Sequence, residues 1–556
     1  MKRTIVMLSA VVSFSFTAFA QSKPEPPKRT VMLPSDSAKQ DENLPKIDLP
    51  EFQITGKETP ELIESAKPGI DEERVYDLSA QLLTVGERES AKVSLGDFSK
   101  AQSGFAQKVK GFSGKVTVGY GSYVTPMFDG WVGTSSGNAD VLLRVGYKSS
   151  DGRFANQDYR NGSAGLSGGL YLPDYAGIFS KGRLRGNFGF DGESYKLYGS
   201  LRPTRSRSLN RFNGDLSLNM SYAEGGFLNS AVHINNASLV DSVRSGENYA
   251  GIELAGGKTI DMTQLKAEMS LWRNFYASPS VKHDPYFTHV GVSAQCRIGE
   301  DVDIMGGATM FLVRGSEGES KGTIQPKLGV AWYVRQGFTL FARYEPFVQR
   351  TTLSSLAETN PYIVNDARIQ NTEYFNNVSL GTELEISRAV KVKASINYKR
   401  AWNHPIFVDI SNAHVWSVAY FGTTRIMSFE SELSADITTD DHLGATFAVR
   451  NNQNFDTNNE LPYFPQVVLG ALYQHRFPFK LSLMSNLKYI DRQYADIANT
   501  RSLSSFLLWD ARAVYEIIQR LSVGLAVENI LDQQQHWWEN YVGQPRRAML
   551  SVGFTW

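Results

Sequence analysis

The chain ends in AMLSVGFTW, and this stretch alternates without a break. Ala548, Leu550, Val552, Phe554 and Trp556 are apolar or small, and Met549, Ser551, Gly553 and Thr555 lie between them. A period of two is a strand with one greasy face. The pattern recurs. VSLGTELEI sets Val378, Leu380, Leu384 and Ile386 against Ser379, Gly381, Glu383 and Glu385. RIMSFESELSADI sets Met427, Phe429, Leu433 and Ile437 against Ser428, Glu430, Glu432 and Asp436. RLSVGLAVE sets Leu521, Val523, Leu525 and Val527 against Ser522, Gly524, Ala526 and Glu528. Such segments run from about Gly111 to the C-terminus with no helical stretch between them. A soluble sandwich also alternates, but here the second face carries small and charged residues, as the wall of a wet lumen would.

The N-terminus sets the compartment. MKRTIVMLSAVVSFSFTAFA has a basic start at Lys2 and Arg3, an apolar run from Ile5 to Phe16, and a small-x-small site at Ala18-Phe19-Ala20. Residues 1–20 therefore read as an export signal. After it comes no uninterrupted apolar run of the roughly 18 residues that a spanning helix needs. Export, 12% aromatic residues, 47 glycines and amphipathic strands together predict an all-β membrane protein, an antiparallel transmembrane β-barrel. Its place is a Gram-negative-type outer membrane, with outer-membrane lipid as its solvent.

The connections test this independently. Short turns are expected near Ile518–Arg520, Phe477–Phe479, Thr438–Asp441, Arg388–Val390, Arg335–Gly337 and Gly299–Asp301. Further back they fall near Ile260–Met262, Ala223–Gly226, Gly177–Lys181 and Gly133–Gly137. Long polar loops alternate with them at Gln533–Pro545, Phe455–Tyr463, Thr352–Gln370 and Lys148–Gly162. Short periplasmic turns and long outer loops are the habit of outer-membrane barrels. The count predicts about 22 strands, an even number that places both barrel ends in the periplasm, with KVTVGYGSYVTPMFDGWV as the first hairpin.

Residues 21–60 are polar and punctuated by proline, and read as a disordered leader. Residues 61–110 are mixed, a short periplasmic or lumenal segment, and residues 111–556 form the barrel.

The last fifty or so residues then carry a resemblance. Trp509-Asp510-Ala511 opens one strand, Val527-Glu528-Asn529-Ile530-Leu531-Asp532 closes the next, and Pro545-Arg546 precedes the last. This stretch resembles the final strands of TonB-dependent receptors, whose barrels have 22 strands. GTTRIMSFESELSA is similar to the internal strands of that family. The resemblance implies a TonB-contacting segment before the barrel, and LPEFQITGKET, residues 49–59, resembles one through Phe52, Gln53, Ile54, Thr55 and Gly56. The same stretch also reads as a linker with two apolar residues. The family's plug pattern is not found between this segment and Gly111, so the plug is either reduced to residues 61–110 or missing. The lumen is then open, or filled by that segment and by inward-folded loops.

No catalytic residue, cofactor or metal is expected. The eight histidines show no ligand spacing, and His283 and His289 in VKHDPYFTH read as polar loop residues. The pairs Glu383/Glu385 and Glu430/Glu432 read as solvated lumenal charge. Cys296, the single cysteine, excludes a disulfide framework and reads as an inert barrel residue. Zero formal net charge gives no bulk attraction for nucleic acid. Trp537, Trp538 and Tyr541 are expected at the membrane interface, where amphipathic rings sit well.

These readings point to uptake or passage of a solute across the outer membrane. The loops Thr352–Gln370 and Gln533–Pro545 are the expected ligand-handling parts. Two alternatives remain at this stage, a plug-less scaffold barrel of an outer-membrane complex and a passive porin-like channel. The expected partners are TonB or another periplasmic or outer-membrane protein, and the barrel-assembly machinery. Leu550, Val552, Phe554 and Trp556 resemble the C-terminal signal which that machinery reads.

Overall fold

The computed structural model describes residues 111–556 apart from 174–180, 223–224, 316–317 and 388. The export signal, the leader with Phe52, Gln53, Ile54, Thr55 and Gly56, and residues 61–110 lie outside the described residues.

One antiparallel sheet closes on itself. Of its 24 strands, Lys282–His283 and Phe347–Gln349 are short extensions at one end, which leaves 22 that cross. Each crossing strand pairs with its neighbours in sequence. The first strand, Gly111–Gly121, also pairs with the last, Arg547–Thr555, from Lys115↔Thr555 to Gly121↔Met549. Closure leaves no unpaired edge, which hydrocarbon requires because nothing there can bond a free N–H or C=O. Among the described residues no helix is long and apolar enough to cross a membrane; the crossing is made by strands. A 13-residue strand such as Val302–Arg314, at about 3.3 Å per residue and a tilt near 40°, rises about 33 Å, enough for an apolar band of about 25 Å.

The side chains alternate as the sequence predicts. Leu550, Val552 and Phe554 are 57%, 41% and 46% exposed, while Met549 and Gly553 on the other face are buried. Leu380 and Ile386 likewise face outward. Cys296 is a free thiol in the strand Tyr286–Ile298, in register with the exposed Val290 and Val292. The inner wall is polar and ion-paired around its circumference. Arg144 meets Asp129 at 3.4 Å, Lys327 meets Glu345 at 3.6 Å, Lys393 meets Glu383 at 3.7 Å and Arg450 meets Glu430 at 3.6 Å. The predicted lumenal carboxylates Glu383, Glu385 and Glu430 are thus wall charges held by Lys393, Lys391 and Arg450.

The two ends of the barrel differ. Both chain ends of the barrel share one end with the short turns at 137–138, 261–262, 299–301, 336–337, 437–440, 477–480 and 519–520, while the turns expected near Gly177–Lys181, Ala223–Gly226 and Arg388–Val390 lie wholly or partly outside the described residues. Glycine at positive φ makes some of these turns tight: Gly337 has φ 77°, and a Cβ there would stand 2.8 Å from the Glu385 carbonyl. The other end carries the long loops, with two three-residue connections, 122–124 and 241–243, among them. Two expected boundaries shift. The first short turn falls at 137–138 rather than Gly133–Gly137, because Gly133 is paired mid-strand with Ser113 and Leu142. The loop expected at Lys148–Gly162 shrinks to 151–158, since Lys148 pairs with Asn161 and Tyr147 with Gly162. Polar composition does not end a strand that continues beyond the membrane with its ladder intact.

Candidate functional site at the lidded mouth

The stretch 350–371 connects the strand pair Phe338–Tyr344 and Thr372–Ser387, and it folds inward across the loop end of the barrel. Thr352 caps a short helix, Leu353–Thr359, with a reciprocal box: Ser355 N donates to Thr352 Oγ1 at 3.0 Å and Thr352 N donates to Ser355 Oγ at 2.9 Å. The next two free amides of that turn, Leu353 N and Ser354 N, donate at 2.7 and 2.9 Å to the carboxylate of Glu247 on a distant wall strand, Arg244–Ile260. A carboxylate beside first-turn amides satisfies orphan donors and opposes the helix dipole. Leu353, Leu356, Ala357, Ile363, Ala367 and Ile369 pack with Leu209, Leu239 and Tyr276 of the wall. No residue of 350–371 is exposed. It is a lid with its own core.

Buried polar groups latch the lid. Arg207 donates to the carbonyls of Pro361 at 3.0 Å and Ile363 at 2.5 Å, and pairs with Asp241 at 2.8 Å. Asn365 donates to Asp241 at 2.9 Å and to the Val243 carbonyl at 2.7 Å, and accepts at its backbone from Ser245. Arg211 holds Glu358 and, at 2.5 Å, Glu193. The far end is tied by His283 Nε2 on the Ile369 carbonyl at 3.1 Å and by Tyr420, whose hydroxyl donates to the Arg368 carbonyl at 2.9 Å. Burial lowers the His283 pKa from its ordinary value, partly offset by the Ile369 carbonyl, so its neutral ring donates this bond.

Above the lid, aromatic rings from several loops form a second core. Trp416 is fully buried and donates its indole N–H to Tyr463 Oη at 3.0 Å. Tyr541 stacks on Tyr362 of the lid at 3.5 Å between centroids and donates to the His414 carbonyl at 3.0 Å. Trp538 lies 4.5 Å from Tyr463 and 5.4 Å from Phe407. Burial pushes the Tyr463 and Tyr541 phenols up, so both remain neutral donors. This corrects the expected interfacial role of Trp538 and Tyr541, which are 6% and 2% exposed inside the loop core. Trp537 packs edge-on against Phe506 at 4.8 Å. The rings are covered because loops from both sides of the mouth converge on them, which a loop sequence does not announce.

Residues 101–530 match the family described as TonB dependent receptor-like, beta-barrel. The chain belongs to that family. No curated protein sequence matches it. Among solved structures it is similar to the FrpB iron transporter of Neisseria meningitidis (F3-3 variant), at 14% identity, TM-score 0.62, with 81% of this chain and 82% of that one covered. The siderophore receptor PiuA of Acinetobacter baumannii is similar at 12% identity, TM-score 0.62, with 81% and 82% covered. The closed form of the ferric-catecholate import receptor Fiu of E. coli K12 follows the same fold at 12% identity, TM-score 0.58, with 81% and 82% covered.

In this TonB-dependent-receptor-type barrel, the motif residues near the C-terminus turn out to fasten the last loop. Asp510 accepts from Asn529 N at 2.7 Å, and the Asn529 amide donates to the carbonyls of Gln533 and Gln544 at 2.9 and 3.1 Å. Asp532 accepts from Arg546 N at 2.8 Å, and Glu528 joins Lys148, at 3.6 Å, to Arg547. Leu550, Val552 and Phe554 sit on the outer face of the closing strand, and Trp556 ends it: Trp556 N donates to the Gly114 carbonyl at 3.0 Å. The histidines weighed as ligands are apart. His289 contacts Thr309 at 2.6 Å on the lumenal wall, and among the described residues no three His, Cys, Asp or Glu gather as a metal site. The lid anchors Arg207, Asp241, Glu247 and Asn365 escaped sequence reasoning. Their only signal is an ionic or amide side chain at an inward position near a loop, which the whole lumenal wall shares.

Proposed function

We propose that this protein takes up a solute across the outer membrane, with the stretch 350–371 as the barrier at the mouth. The observation that carries this is the latched lid over a polar, ion-paired lumen in a barrel of the TonB-dependent receptor family. The similar structures are named for iron, siderophore and ferric-catecholate transport, which supports uptake of a solute from outside. In this reading residues 1–20 direct export and the barrel-assembly machinery reads Leu550, Val552, Phe554 and Trp556. Phe52, Gln53, Ile54, Thr55 and Gly56 engage TonB to supply the energy for lid opening. A lid with a buried core argues against a permanently open porin-like channel.

The test is uptake in intact cells with and without the residues 52–56. Loss of energised uptake on their deletion, with the barrel still assembled, supports the reading. Uptake that is unaffected by the deletion and by collapse of the inner-membrane proton gradient would replace it with passive passage. Planar-bilayer conductance gives a second readout: the intact protein should conduct little, and an unlatched lid should conduct more.

A further inference from the structure

Just beneath the lid the lumenal wall carries an aromatic platform. Trp272 lies flat across Gly251, where a Cβ would come within 1.9 Å of the indole. Only glycine permits this pose, and the flat ring turns one face to the lumen. Tyr249 stacks beside it at 5.1 Å between centroids and 18°, and His233 at 4.8 Å and 27°. Acidic groups flank the platform: His233 contacts Asp215 at 2.5 Å and lies 3.8 Å from Glu253.

The platform is occupied by the chain itself. The guanidinium of Arg350, the first residue of the lid, lies 3.5 Å from the centroid of Trp272 and 5.9 Å from that of Tyr249. Among the described residues Arg350 has no carboxylate within ion-pair distance. Its position contrasts with Arg207 and Arg211, which are clamped by Asp241, Glu193 and Glu358. A cation held on ring faces beside the Tyr249 phenol, with no carboxylate partner, is held weakly, and another cation of the same shape can take its place.

We infer that the Trp272–Tyr249 platform on Gly251 is a binding site for a planar organic cation of the guanidinium class, closed in this structure by Arg350. A solute cation that stacks on Trp272 displaces Arg350 and releases the first residue of the lid from the wall. Planarity selects the ligand: a guanidinium lies face to face on the indole, whereas a tetrahedral ammonium touches it through one face only. The inference concerns binding, and stands whether or not the bound solute is then carried inward.

Ligand-observed NMR saturation transfer on the full chain in detergent micelles tests this, with methylguanidinium as probe and tetramethylammonium as comparator at equal ionic strength. Methylguanidinium should show saturable binding and tetramethylammonium weaker binding. Arg350→Ala removes the internal competitor and should tighten methylguanidinium about five-fold. Trp272→Ala and Gly251→Val should abolish it, the second by lifting the indole from the wall with its ring intact. Heat-modifiable gel migration confirms that each variant has a folded barrel. Equal binding by wild type and Trp272→Ala, or an unchanged affinity in Arg350→Ala, overturns the inference.

Discussion

The turn end and the loop end of this barrel are made by opposite rules. At the turn end, the described connections join two adjacent strands and continue their ladder, as Ile437 N does on the Asp441 carbonyl at 2.9 Å. At the loop end, groups find partners far along the chain. The Tyr198 hydroxyl donates to the Val542 carbonyl at 2.8 Å, 344 residues away, and Arg207 reaches Ile363, 156 residues away. The turn end is local and interchangeable from hairpin to hairpin. The loop end is one cooperative object, so a single lost contact should be felt across the mouth and leave the wall intact.

The largest break of that contrast is at the seam, where locality fails even at the turn end. Trp556 lies over Gly114, whose added Cβ would stand 2.3 Å from the indole. Removing Phe554–Trp556, or the change Gly114→Val, should prevent closure and abolish the heat-modifiable band on gels. A truncated chain that still inserts normally into membranes would refute a closing role for these residues.

Next in size is Arg207→Met. It removes a buried cation that holds Asp241 and two lid carbonyls, and breaking a buried pair costs about 3–5 kcal/mol. The lid should become protease-sensitive and exchange its amides faster, and conductance should rise several-fold. The strand amides of the wall should keep their protection. Loss of protection in both regions would mean that the two ends are not energetically separate.

Acid should loosen the mouth in the same direction, by less. Burial lowers the His283 pKa, with Arg368 lowering it further and Asp284 opposing. His404, buried near Lys399, is pushed well below the ordinary histidine range. Both folded-state values lie below the released value near 6.5, so the released state binds more protons in acid. The stabilisation is whole above about pH 6.5 and declines as pH falls through that value. Lid proteolysis compared at about pH 5 and about pH 7.5 should show the difference, and His283→Gln should reduce it.

The smallest effect belongs to the lumenal wall. Glu383→Gln removes an open ion pair with Lys393 at 3.7 Å, and exposed pairs contribute about 0–1 kcal/mol. Thermal stability should hardly move, while the charge selectivity of an unlatched lumen shifts toward anions.

Legibility from sequence follows the same divide. The strands were readable because a bilayer enforces alternation residue by residue, so VSLGTELEI and AMLSVGFTW reveal their faces alone. The turns were readable because each is closed by its neighbours. Gly133 misled because a strand glycine and a turn glycine look alike. Trp538 and Tyr541 misled for a deeper reason: whether an aromatic in a loop meets lipid headgroups or Trp416 and Tyr463 depends on where other loops go.

The sequence by itself determined a closed antiparallel barrel, its inner and outer faces and many of its short and long connections. Each of these is set by interactions between residues close along the chain and by a solvent that tolerates no unpaired backbone. Only the tertiary structure decided that 350–371 is a lid, that Glu247 caps its helix, and that Arg350 covers Trp272. Those contacts join residues separated by scores of positions, and their chemistry is the same as that of any lumenal side chain until the barrel brings them together.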